Sequence, residues 1–181
     1  MIDPTAFVHP MALCEGSTVG ARTRIWQFAS VIRGARIGAD CNIASGACID
    51  GSVVGDHSII CHNVAMGPGF LIGSGCFIGP GVVLCNDMWP RAVKQGWSIA
   101  PFQNGALAIV IKDGASMGAN STALPGITIG RNAFVAAGAV AVRDVPDDHL
   151  LARDGSVKPL PDNLLDRRMR LVEGFRSAKV A

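Results

Sequence analysis

Nowhere does this 181-residue chain hold the roughly 18 uninterrupted apolar residues that a membrane-crossing helix needs, although apolar residues make up 49% of it. A soluble protein is expected. The N-terminal MIDPTAFVHP carries neither the basic start nor the continuous apolar segment of a secretory signal, so the cytoplasm is the expected location. Neither sign of charge dominates: 16 basic and 14 acidic residues lie scattered along the chain, for a net charge of +2. That balance argues against a nucleic-acid groove or a membrane-binding patch. The six cysteines, at 14, 41, 48, 61, 76 and 85, form no Cys-x-x-Cys pair and no metal-finger spacing. Reduced thiols are expected rather than a disulfide framework, and no bound metal.

What the chain does have is a period of six. Aliphatic residues recur from Phe7 through Leu13, Val19, Ile25, Val31, Ile37, Ile43 and Ile49. The register then shortens by one and continues through Val54, Ile60, Met66, Ile72, Ile78 and Leu84. After a gap it resumes at Ile111 and runs to Ala141. The fourth residue after each anchor is nearly always small, with Phe70 and Ile127 as exceptions, and glycine follows many anchors directly. Neither the helical period of 3.6 nor strand alternation of 2 accounts for this. One short strand plus one corner does, three such units closing a triangular turn whose neighbours stack about 4.8 Å apart. The predicted fold is all-β: a parallel β-helix over residues 1–158 with an inserted loop at 85–107 and an appendage at 159–181. Within the appendage, Leu164, Leu165, Met169, Val172 and Phe175 predict an amphipathic helix over 161–177, suited to packing on the β-helix or on a second subunit.

The gap in the repeat, CNDMWPRAVKQGWSIAPFQNGAL, lacks anchors and contains two prolines. A solenoid displaces such an insertion from the stack, where it can be aimed at a ligand. Asn86 and Asp87 stand at its root, held by the preceding strand. Turn capping is the commonest use of such residues in loops, and catalysis is the competing role.

Four segments, RIWQFASVIRGARIGADCNI (24–43), CNDMWPR (85–91), GASMGANSTALPGITIG (114–130) and AAGAVAVRDVP (136–146), sharpen the choice. The hexapeptide pattern resembles the left-handed β-helix acyltransferases. The four segments look like the nucleotide-sugar N-acetyltransferases, nearest to the UDP-2-acetamido-3-amino-2,3-dideoxy-glucuronate 3-N-acetyltransferases. The loop of those enzymes usually opens Thr-Asn-Asp and closes Pro-Arg, whereas this chain has Cys85 for the threonine and Trp89 where tyrosine is common. The resemblance implies left-handed winding, a homotrimer with active sites between neighbouring β-helices, and acetyl-CoA as co-substrate. It also implies a nucleotide-linked amino sugar destined for surface polysaccharide as acceptor.

On that resemblance Asn86 accepts a hydrogen bond from the sugar amine and Asp87 orients the amine or its cation. Arg91 pairs with a phosphate or sugar carboxylate, the alternative being a solvated loop arginine. Trp89, Trp26 and Gln27 are further candidates for substrate contact, Trp26 serving equally well at a subunit interface. Gly118, Ala119, Ala136, Ala137 and Gly138 match the family's pantetheine channel, with Arg143 and Lys158 available for phosphates. His62, two residues past an anchor and so facing outward, is the rival base or else a surface histidine.

Within the transferases, an acyltransferase with another acyl group or acceptor is the alternative, and two other classes compete. In γ-type carbonic anhydrases three histidines bind zinc on the same fold, and His57 and His62 reproduce one spacing found there. The third ligand would fall near Arg22, where no histidine stands. A non-catalytic solenoid used for assembly would have no need of NDMWPR.

Overall fold

The computed structural model describes residues 1–93, 96, 98–161 and 163–164. Its strands, two or three residues each, fall into three sheets that form the faces of a prism. The first face begins at Phe7–Val8 and Arg24–Ile25 and runs through Ser116–Met117 and Phe134–Val135 to His149–Leu151. The second runs from Leu13–Cys14 to Val140–Ala141, and the third from Thr18–Val19 to Ile127–Ile129. Each strand pairs in parallel with the equivalent strand one turn away, as in Ile59↔Phe77 and Ile60↔Ile78. The chain is a β-solenoid of about eight turns. A final strand, Val157–Pro159, pairs antiparallel with His149–Leu151 and covers the end of the first face.

The expected anchors from Val19 onward fill the interior: Ile25, Ile43, Ile60, Ile78, Ile111 and Ile129 are all fully buried. The first two are corrected. Phe7 and Leu13 are each 44% exposed and point outward, while Val8 and Cys14 take the inward positions. A five-residue step from Cys14 to Val19 causes the slip, and period two along a strand then turns each side chain to the opposite face. The two large residues in small slots also make sense together. Phe70, Ile109 and Ile127 stack in register on the third face, so the bulk of one is met by the next.

The glycines that follow anchors answer to the spacing between turns. Gly20 and Gly55 have no left-handed φ; an added Cβ would lie 2.6 Å from the backbone nitrogen of Ala39 or Ser74 in the next turn. Close stacking, rather than conformational freedom, excludes the side chain. Several small slots carry hydroxyls or thiols that stitch one turn to the next. Thr23 Oγ1 donates to the Gly38 carbonyl at 2.7 Å and accepts from the Cys41 amide at 3.0 Å. Ser58 repeats this with the Gly73 carbonyl and the Cys76 amide. Cys41 and Cys76 thus belong to the core. Burial pushes the Cys41 thiol up and the Cys76 thiol up to about 11.

The helix expected over 161–177 falls almost wholly outside the described residues. Ala100–Gln103, inside the inserted loop, is an α-helix of one turn. No helix among the described residues is long and apolar enough to cross a membrane.

Candidate functional site

Three edges join the three faces, and they sort the candidate residues. The edge between the first and second faces carries Trp26, Gln27, His62, Gly118, Ala119, Ala136, Ala137 and Gly138. Its turns are tied vertically: Gly81 donates its amide to the His62 carbonyl at 3.0 Å, and Gly138 donates to Ala119 at 2.9 Å. The fold therefore brings five of the expected coenzyme contacts, the rival histidine and two expected substrate contacts onto one line.

Along this line the N-terminal turns are aromatic and the C-terminal turns are bare. The Trp26 indole donates to Asn42 Oδ1 at 2.7 Å and its ring lies 5.5 Å from that of Phe7. Phe28, 63% exposed, holds φ at +62° in the turn position that Asn63, Gly81, Asn120 and Gly138 fill elsewhere. A bulky residue in that region is strained, and such strain concentrates at functional positions. Sequence reading missed Phe28. The signal was an aromatic residue in a slot otherwise given to Asn or Gly. Burial raises the pKa of Cys61, beside His62, which disfavours its thiolate.

The inserted loop leaves from the edge between the second and third faces. Asn86, Asp87, Trp89 and Arg91 are therefore separated from His62 and from the glycine and alanine line by the width of the second face. Arg143 follows Val140–Ala141 onto this same edge and bonds the Gly155 carbonyl at 3.3 Å. Lys158 lies on the strand that covers the end of the first face. The seven expected coenzyme contacts are thus split, five on one edge and two near the C-terminal end.

The loop is fastened to the turn beneath it, and the receiving segment is Gly67-Pro68-Gly69. Asn86, half-buried, directs Nδ2 at the Pro68 carbonyl at 3.5 Å. With Nδ2 directed at the scaffold, Oδ1 is the amide's acceptor end. Asp87 Oδ1 accepts the Trp89 amide at 3.0 Å, a turn-capping bond. Trp89 itself is 81% exposed and Arg91 is exposed. At the other end of the loop Phe102 packs over Gly69, whose φ of +88° and lack of a Cβ make room for the ring. The Ala108 amide then donates to the Gly69 carbonyl at 2.7 Å. Pro68, Gly69 and Phe102 were not singled out from the sequence, although the GPG triplet breaks the usual corner pattern.

The pair of histidines considered for zinc does not share a site within the chain. His57 lies on the edge between the third and first faces, 3.9 Å from the Asp40 carboxylate, and His62 lies on another edge. Among the described residues no group of three or more His, Cys, Asp or Glu could hold a metal ion.

Residues 108–141 match the family of the hexapeptide repeat of succinyl-transferase. Over 143 residues the chain is 38% identical to the dTDP-3-amino-3,6-dideoxy-alpha-D-galactopyranose 3-N-acetyltransferase of Aneurinibacillus thermoaerophilus, covering 79% of this chain and 71% of that one. It is 32% identical over 145 residues to the bifunctional protein GlmU of Brevibacillus brevis, but spans only 28% of that protein's length. Among solved structures, UDP-N-acetylglucosamine O-acyltransferase (LpxA) of Moraxella catarrhalis superposes with a TM-score of 0.60 at 15% identity, covering 99% of this chain and 86% of that one. A mutant of AntD, an N-acyltransferase from Bacillus cereus solved with dTDP and coenzyme A, gives 0.54 at 15% identity, covering 96% and 91%. At such identities these two likenesses establish the fold alone.

Proposed function

Because the chain belongs to the hexapeptide-repeat family, among the sugar-nucleotide N-acetyltransferases, we propose that it transfers an acetyl group from acetyl-CoA to the amino group of a nucleotide-linked amino sugar. The observation that carries this reading is the Asn86 amide, fastened by Nδ2 to the Pro68 carbonyl so that Oδ1 is an acceptor at the rim of the solenoid. An amine needs such an acceptor: a hydrogen bond from N–H to Oδ1 turns the nitrogen lone pair toward the thioester carbonyl.

The chemistry places modest demands on the protein. An amine resembling an α-amino group, with a pKa of about 8, is already roughly one-tenth neutral near pH 7. Positioning two bound reactants contributes at least as much as the 10²- to 10⁴-fold typical of a general base. In the proposed step the nitrogen bonds the acyl carbon, the C–S bond breaks, and the departing coenzyme A sulfur takes the proton that the nitrogen loses. Asp87, next in the chain and bonded to the Trp89 amide, is proposed to orient the amine or its cation. Gly118, Ala119, Ala136, Ala137 and Gly138 offer the pantetheine arm a line without bulky side chains. We further propose a homotrimer, a cytoplasmic location, and a product used in surface polysaccharide.

A thiol-release assay tests the proposal, with acetyl-CoA as donor and a panel of UDP-, dTDP- and GDP-linked amino sugars as acceptors. The curated relative's 3-amino dTDP sugar argues for including 3-amino sugars. Release of coenzyme A with at least one acceptor, and formation of its N-acetyl product, is expected. A panel in which no sugar consumes acetyl-CoA defeats the reading.

A further inference from the structure

The outer surface of the first face carries an apolar column that none of the candidate residues above explains. Ile59, Phe77, Ser116, Phe134 and Leu150 stand in register on successive turns. Ile59 and Phe77 are each 40% exposed and Phe134 is 37% exposed. A contiguous apolar surface of this kind marks a place where something else packs. Ser116, small between two phenylalanines, gives the column a notch. The edge between the third and first faces flanks the column and is acidic. Arg22 and Lys112 on that edge are paired with Asp40 and Asp147. Asp56, Asp113 and Asp148, on the same edge, form no ion pair with a described residue. The last described residues lead here: Val157–Pro159 runs antiparallel to His149–Leu151, and the Leu160 amide donates to the Asp148 carbonyl at 2.8 Å. The chain therefore leaves at the acidic edge, beside the C-terminal end of the column.

We propose that the first face is the docking surface for this chain's own residues 165–177, with Leu165, Met169, Val172 and Phe175 laid along the column. Pattern, length and charge select this occupant. The four apolar residues recur at helical spacing, so that one side of the segment can meet a flat apolar surface. As a helix, 13 residues span about 20 Å, and the four steps from Ile59 to Leu150, at about 4.8 Å each, cover roughly 19 Å. Arg167, Arg168, Arg170 and Arg176 outnumber Asp166 and Glu173, so the segment is basic where the flanking edge is acidic, and arginine forks match carboxylates. Attachment favours it too. Only residues 161–164 separate Leu160, at the edge, from Leu165. So short a tether holds the segment at millimolar effective concentration, against which a second copy or an unrelated protein competes poorly.

Photocrosslinking of the full chain tests this, with the photoreactive p-benzoylphenylalanine in place of Phe134, an outward position that already holds an aromatic ring. Irradiation is expected to join residue 134 to a peptide within 165–177, in a product that migrates as a single chain on a denaturing gel. Adding Val172→Asp is expected to cut the yield tenfold or more at an unchanged circular dichroism spectrum, since the charge falls in the segment and outside the solenoid. A crosslink to any other region overturns the proposal, as does the absence of a crosslink. A product of doubled mass gives the face to a second copy and overturns it as well. So does a yield that Val172→Asp leaves unaltered, because the contact would then owe nothing to the apolar side of the segment. The readout needs no substrate, so it stands or falls apart from the proposed acetyl transfer.

Discussion

At the scale of single residues, the proposed chemistry asks much of Asn86 and little of His62. They sit on different edges of the prism, so within one chain they cannot act on one proton. Replacing Asn86 by alanine removes a half-buried side chain whose one bond among the described residues is the 3.5 Å contact with Pro68, and the fold has little to lose. Turnover is expected to fall 100-fold or more, with thermal unfolding nearly unchanged, while His62→Ala stays within a few-fold of the unaltered protein. A steady-state comparison of the two variants checks this; the opposite ranking would transfer the base role to histidine. The cysteines permit a second residue-scale measurement. With its pKa near 11, the Cys76 thiol is about one-thousandth ionised at pH 8, and desolvation keeps Cys41 protonated as well. Both are expected to remain unmodified in native protein treated with a disulfide reagent at pH 8, and to react once it is unfolded. Mapping the labelled peptides reads the result, and rapid native labelling of either would show that the core opens there. That these two thiols occupy core slots was legible from the six-residue period alone. What they do for the neighbouring turn was not, because their hydrogen-bond partners are set by how the turns stack.

At the scale of elements, the solenoid was readable because each turn repeats one physical requirement: an apolar residue inward, a small one at the corner. The reading slipped only at Phe7 and Leu13, where a terminal turn has a neighbour on one side and the pattern tolerates exposed bulk. The loop was legible as an interruption, but its attachment was not. Gly67-Pro68-Gly69 matters because Asn86, 18 residues on from Pro68, and Phe102, 33 residues on from Gly69, fold back onto it, and no local pattern encodes that return. The attachment makes Gly69→Ala informative. Its φ of +88° disfavours any side chain, and the new Cβ would overlap the Phe102 ring. Strain of this kind costs about 1 to 3 kcal/mol, which the solenoid absorbs as a lower urea midpoint while the loop root loses its seat. Turnover is expected to drop by tenfold or more at an unchanged circular dichroism spectrum. Retained turnover would show that the chemistry does not need the loop pinned at this point.

At the scale of the whole molecule, one prism is incomplete as the proposed enzyme. The loop with Asn86 leaves one edge, the bare line expected to hold the coenzyme follows another, and the second face stands between them. Two copies side by side remove that obstacle, since the loop of one can face the line of the next. A closed ring of three repeats the arrangement, each site drawing on two subunits. A mass near three times the 18.8 kDa of the chain is then expected by light scattering. Complementation gives the sharper test. Asn86→Ala damages only the acceptor side, and Ala137→Trp, at an exposed corner, fills only the coenzyme side. Each variant alone is expected to be inactive. Assembled together at equal amounts, they place an intact loop opposite an intact line in roughly a quarter of sites, so activity should return to about that fraction of the unaltered protein. Were the site contained within single chains, every site in the mixture would carry one defect and no activity would return, because neither variant could supply what the other lacks.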